Sequence, residues 1–154
     1  MSKTLETTGI AVASTAVYAG ILGVLPYSLD TPYGERNNID AERGLGAICF
    51  GGITALILQI DSSHTKTVQD IENAHVSGAA TDAEYQQAIK QENENYELAM
   101  NMTMYALPAV CALAVPYLAG PAFRRGRLDK PRYFSHALTL YASLVAMTSS
   151  IHAL

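Results

Sequence analysis

Four stretches of the chain carry no Asp, Glu, Lys or Arg: Thr7–Leu29, Gly44–Ile60, Leu98–Phe123 and Tyr133–Leu154. They are 23, 17, 26 and 22 residues long. A helix crossing the hydrocarbon of a bilayer needs about 20 mostly apolar residues. Each run therefore predicts a transmembrane helix, over 8–28, 44–62, 98–120 and 133–153. The second is short and asks for slight bilayer thinning or help from flanking residues.

The pattern changes between the second and third runs. His64, Val68, Ile71 and His75 recur at spacings of four, three and four, one face of a helix continued from the membrane. Gly78 is placed to end that helix. Thr81 and Glu84 have the capping-box arrangement, which starts another. Tyr85, Ile89 and Tyr96 then share a face. The predicted fold is all-α: a single polytopic domain of four transmembrane helices, with a helical hairpin (61–97) protruding between helices 2 and 3. Two helices of that length bury little alone, so Tyr85, Ile89 and Tyr96 are the candidate partner-binding residues. The plainer alternative is that the two helices cover each other.

Mean hydropathy is only +0.12, because the apolar runs alternate with this polar block. The net charge of −4 is also unevenly spread. Residues 61–97 hold eight acids against Lys66 and Lys90. The third loop instead holds Arg124, Arg125, Arg127, Lys130 and Arg132 against Asp129 alone. Lys and Arg concentrate on the inner side of a membrane. That places loops 30–43 and 121–132 inside, and both termini with 61–97 outside. In the first loop the helix is expected to begin within Ile39–Arg43, capped by Asn38 or Asp40. The five basic residues are candidate lipid-headgroup ligands, with doubly charged cardiolipin the natural one. A purely topological role, fixing the third loop inside, is the plainer explanation and is compatible with headgroup binding. The patch is too short and too enclosed for nucleic acid.

Stripes of small residues predict close helix packing: Ala11, Thr15, Ala19 and Gly23; Ala47, Gly51 and Ala55; Ala142, Ala146 and Ser150. Pro108 and Pro116 each remove a backbone hydrogen bond from the third span and predict kinks. Cys49 and Cys111 read as small apolar residues. No cleavable targeting peptide is expected at the start of the chain.

The ionisable groups nearest the membrane are Asp61, His64, His136 and His152. His64 and His152 are the only candidate metal or haem ligands, at the outer ends of spans two and four. Ligation needs paired imidazoles at matched depth with their second nitrogens held. No such pair is legible, so no metal, haem or other cofactor is expected beyond bound phospholipid. No nucleophile elbow, P-loop or dinucleotide fingerprint occurs, and no enzymatic activity is expected.

Four spans with both termini on one side resemble the mitochondrial inner-membrane translocase family, which includes respiratory-complex accessory subunits. Arg36-Asn37-Asn38-Ile39-Asp40 is similar to the Arg-x-x-x-Asp element of that family's signature. Here the element falls in the first loop, not between spans two and three, and the rest of the signature is mostly missing. The expected function is that of a non-catalytic accessory subunit in a larger membrane complex, respiratory or otherwise energy-transducing. Other membrane subunits and the bilayer are its expected partners. The expected location is the mitochondrial inner membrane, ahead of a bacterial plasma membrane. A small transporter or channel, or a haem- or quinone-binding redox anchor, are the alternatives.

Overall fold

Helix α1 runs unbroken for 41 residues, Arg36–Val76. No proline occurs within it, and Gly34 is the last breaker ahead of it. The helix therefore starts earlier than Ile39, and Asn38 and Asp40, expected as caps, lie inside it. The computed structural model describes residues 36–120, 123–124 and 127–152, with the backbone alone at 36–40, 123–124 and 151–152. The first predicted span, Thr7–Leu29, lies outside the described residues, as does its small-residue stripe.

The end of α1 is a Schellman motif. Gly78 takes a positive φ of 75°. The Ala79 N–H then donates to the Ala74 carbonyl at 2.9 Å, and the Gly78 N–H to that of His75 at 3.0 Å. Thr81 caps the next helix, α2 (Asp82–Asn101), with both halves of the predicted capping box present. α2 runs into a π-turn, Met102–Ala106, and then α3, Leu107–Leu118. The turn is explained by Pro108, which cannot donate and whose ring crowds the carbonyl four residues back. The Leu107 N–H donates to the Met102 carbonyl, five residues away, which moves the chain aside.

This turn also keeps one face buried. Met100, Met104, Pro108, Ala112 and Pro116 are all buried at spacings of four. In a plain α-helix such a stripe drifts by about 40° per step. The extra residue wound into the π-turn takes back most of that drift. At Pro116 the disturbed turn is met from outside. The Tyr133 hydroxyl donates to the Leu113 carbonyl at 2.7 Å.

Past Gly120 (φ 82°) a two-residue ribbon pairs β1, Phe123–Arg124, antiparallel with β2, Arg127–Leu128. Helix α4 follows, Lys130–His152. The Asp129 carboxylate accepts from the Arg132 N–H at 3.3 Å and so caps it. Apart from the ribbon and short connecting turns, the described chain is helical.

α1 packs antiparallel to the α2–α3 rod, and α4 returns alongside both. Phe50, Ile53 and Ile57 of α1 meet Met100, Met104, Ala112 and Val115 of the rod and Leu140 and Leu144 of α4. Thr54 and Thr148 are fully buried, and each hydroxyl donates to the carbonyl four residues back, Phe50 and Leu144 respectively. Of the predicted stripe on α1, Ala47 and Gly51 are buried and Ala55 is half-buried. Ala142, Ala146 and Ser150 are exposed. α4 turns Leu140, Leu144 and Thr148 inward instead, since larger side chains bury more area.

Two segments, Ala41–Val76 and Asp82–Leu118, are long and apolar enough to cross a membrane by length and composition.

Candidate functional site

Two polar clusters join the helices at opposite ends of the apolar core. The outer one is built from Asp61 and His64, one turn apart on α1, and Glu92 and Tyr96, one turn apart on α2. The His64 and Tyr96 rings stack with centroids 4.2 Å apart and planes inclined by 26°. His64 Nδ1 lies 3.1 Å from Glu92 Oε1, and the Tyr96 hydroxyl donates to Asp61 Oδ1 at 2.6 Å. A bond that short is typical of hydroxyl to carboxylate. It holds the phenol neutral: the Asp61 hydrogen bond first, then burial, then the Asp61 charge, push Tyr96 up to about 12.

The same pairing recurs nearer the turn. His75 stacks on Tyr85 with centroids 4.5 Å apart, and its Nε2 lies 3.5 Å from Asp82. From His64 to His75 is eleven residues, and so is Tyr85 to Tyr96. Eleven residues make just over three whole turns, so both pairs fall on one face and one antiparallel register. That register extends inward. Cys49 and Cys111 lie fifteen residues from His64 and Tyr96 respectively, and both are half-buried against the core. Tyr85 and Tyr96, singled out as partner-binding residues, thus have their rings against α1, and Ile89 between them is half-buried.

The inner cluster pairs Glu42 of α1 with His136 of α4, Oε2 to Nδ1, at 2.7 Å. Glu42 is only 4% exposed, and its second oxygen, Oε1, is buried with no hydrogen-bond partner among the described residues. Sequence reading places Glu42 where the first loop gives way to the helix and does not single it out. Its signal is the stripe Glu42, Gly46, Phe50, Ile53 and Ile57, all buried, at helical spacing. From Glu42 to Thr54 is twelve residues, as is His136 to Thr148, so α1 and α4 keep step through the core.

The same geometry separates the candidate metal ligands. α1 advances twenty-two residues from Glu42 to His64, about 33 Å; α4 advances sixteen from His136 to His152, about 24 Å. The backbone at His152 stops about 9 Å short of His64 along the helix axes. Nδ1 of His64 is engaged by Glu92. No group of three or more potential metal ligands occurs among the described residues.

Comparison with known proteins gives no match: no family model, curated protein or solved structure is similar to this chain.

Of the candidate lipid ligands, Arg127 and Lys130 are exposed and Arg132 is half-buried. Arg124 stands opposite Arg127 in the ribbon register, and Arg125 lies outside the described residues. The last feature is the outer surface of the helices. Ile48, Leu98, Val110, Phe134 and Leu138 are all more than 60% exposed, and Leu118 reaches 72%. Within Ala41–Val76 and Asp82–Leu118 only 39% and 33% of the most apolar window is buried.

Proposed function

We propose that this chain is an integral membrane protein of four transmembrane helices, α1, the α2–α3 rod, α4 and a helix over Thr7–Leu29. In this reading the outer halves of α1 and α2 stand clear of the lipid as an antiparallel arm. The observation that carries it is the exposed apolar surface. A core helix of a soluble protein hides its apolar residues, whereas here most face outward. Lipid is the medium in which that surface costs nothing.

Within that membrane the chain acts as a non-catalytic subunit of a larger hetero-oligomeric assembly, with a respiratory or other energy-transducing complex as its setting and an organelle inner membrane as its location. Two features support association. The exposed small-residue face of α4, Ala142, Ala146 and Ser150, admits close approach of another helix. Asp61, His64, Tyr96 and His136 engage their partners in internal helix pairing, as suits a scaffold. Arg127, Lys130 and Arg132, with Arg124 and Arg125 beside them in sequence, suit the headgroup of an anionic phospholipid such as cardiolipin. Extraction of native membranes in mild detergent, then a native gel with mass spectrometry, tests the assignment. Co-migration with other membrane subunits is the expected result. Migration as a lone chain would overturn it.

A further inference from the structure

A groove of about 370 Å³ opens between α1 and α2 beside the outer cluster. The geometry points to this groove as a binding site for a phospholipid whose headgroup ends in a primary ammonium, as in an ethanolamine lipid. The inference rests on the membrane reading above and adds a ligand to it.

The groove is apolar at one end and polar at the other. Leu56 and Ala99 line it within the uncharged runs. Ser63, Glu92 and Asn95 line it beyond them, and Gln59 stands at the junction. From Leu56 to Ser63 α1 rises about 10 Å, so the long axis follows the helices across the boundary of the bilayer. That profile fits a lipid lying along the helices, with chain below and headgroup above.

The polar wall selects the headgroup. Glu92 gives one oxygen to His64 and keeps the other. The side chains of Gln59, Ser63 and Asn95 have no protein partner among the described residues. Together they present a carboxylate oxygen, two amide oxygens and a hydroxyl, which suit a group with three N–H donors. A choline headgroup has the charge but no N–H to donate. A glycerol headgroup leaves the phosphate uncompensated beside Glu92 and Asp61. No Lys or Arg lines the groove: Lys90 is turned to Glu94, and Lys66 lies outside. The amide N–H groups of Gln59 and Asn95 remain for the phosphate.

The test uses the full-length protein, reconstituted in nanodiscs of phosphatidylcholine with equal mole fractions of phosphatidylethanolamine and phosphatidylglycerol. Lipid retained after delipidation is counted by native mass spectrometry. Ethanolamine lipid is expected to be retained about fivefold over choline lipid, the factor set by one net hydrogen bond. Glu92→Gln is expected to abolish the preference. Asn95→Leu, which leaves the His64–Glu92 pair intact, is expected to weaken it and serves should Glu92→Gln fail to fold. Equal retention of the three lipids, preference for glycerol lipid, or a preference untouched by Asn95→Leu in folded protein would overturn the inference. A membrane-embedded protein without the preference sinks this inference alone; recovery without detergent sinks the membrane reading with it.

Discussion

The Tyr96 hydroxyl donates to the Asp61 carboxylate at 2.6 Å while the Tyr96 ring lies flat on His64, one turn farther along α1. One side chain thereby fixes both the distance between α1 and α2 and their register. A slip of one residue would rotate Asp61 and His64 away together, because each residue turns a helix by about 100°.

The pair has a pH signature. The phenol of Tyr96 ionises at about 12 against an ordinary 10.0, because ionisation breaks the bond to Asp61 and sets two negative charges together. The folded value is the raised one. Its stabilising contribution is therefore full below about pH 10 and is lost as pH rises towards 12. Absorbance titration of phenolate should show a late-ionising group that Tyr96→Phe removes and Asp61→Asn shifts back towards 10. A titration unchanged by Asp61→Asn would contradict the bond.

At the turn, the Glu84 carboxylate accepts from the Thr81 backbone N–H at 2.9 Å and the Thr81 hydroxyl at 2.7 Å, and is held below its ordinary 4.5. The lowered value sets the sign. The cap contributes above the ordinary carboxylate range and is lost as pH falls through the Glu84 value. Hydrogen-exchange protection of the first turn of α2, taken relative to the intrinsic exchange rate at each pH, should fall in acid, and Thr81→Ala should lower it in the same way at neutral pH. Identical exchange in the variant would argue against the cap.

Gly78 and Gly52 offer a matched contrast. An added Cβ meets nothing within 4 Å at either, but only Gly78 has a positive φ. Gly78→Ala should destabilise by about 1 kcal/mol, since the left-handed conformation is costly for a side chain. Gly52→Ala, inside α1, should stabilise by up to about 1 kcal/mol. Thermal unfolding in detergent reads both signs, and equal shifts would refute the conformational argument.

Glu42 and His136 should behave as a unit. His136→Ala leaves both carboxylate oxygens of a buried Glu42 without a partner, and should cost about 3–5 kcal/mol. Replacing both by apolar residues, Glu42→Met with His136→Leu, should recover most of that loss. A single variant as stable as the parent would show that the pair does not hold α1 to α4.

The bodies of the described helices, the Gly78 terminus and the Thr81 cap are legible in the sequence, because each is a local signal; the start of α1 at Arg36 is not. Periodicity, a glycine with positive φ and a hydroxyl three residues before a carboxylate need no knowledge of neighbours. Glu42 was not legible, because charge marks a residue as solvent-facing until its partner 94 positions away is known. Pro108 announces a disturbance, but its form depends on keeping Met104 and Ala112 inward, which is a demand of packing. The α4 stripe misled for the same reason. Spacing identifies faces, and only the facing helix decides between Ala142 with Ala146 and Leu140 with Leu144.

The central claim is that the α2–α3 rod passes through lipid, with Gly78 and Arg127 on opposite sides. Single cysteines at these two positions, in a background with Cys49 and Cys111 replaced by alanine, test it with a membrane-impermeant thiol reagent applied to sealed native vesicles. Gly78→Cys should be labelled in sealed vesicles and Arg127→Cys only after the vesicles are opened, or the reverse in inverted vesicles. Labelling of both from the same compartment, or recovery of the protein in the aqueous fraction, would contradict it.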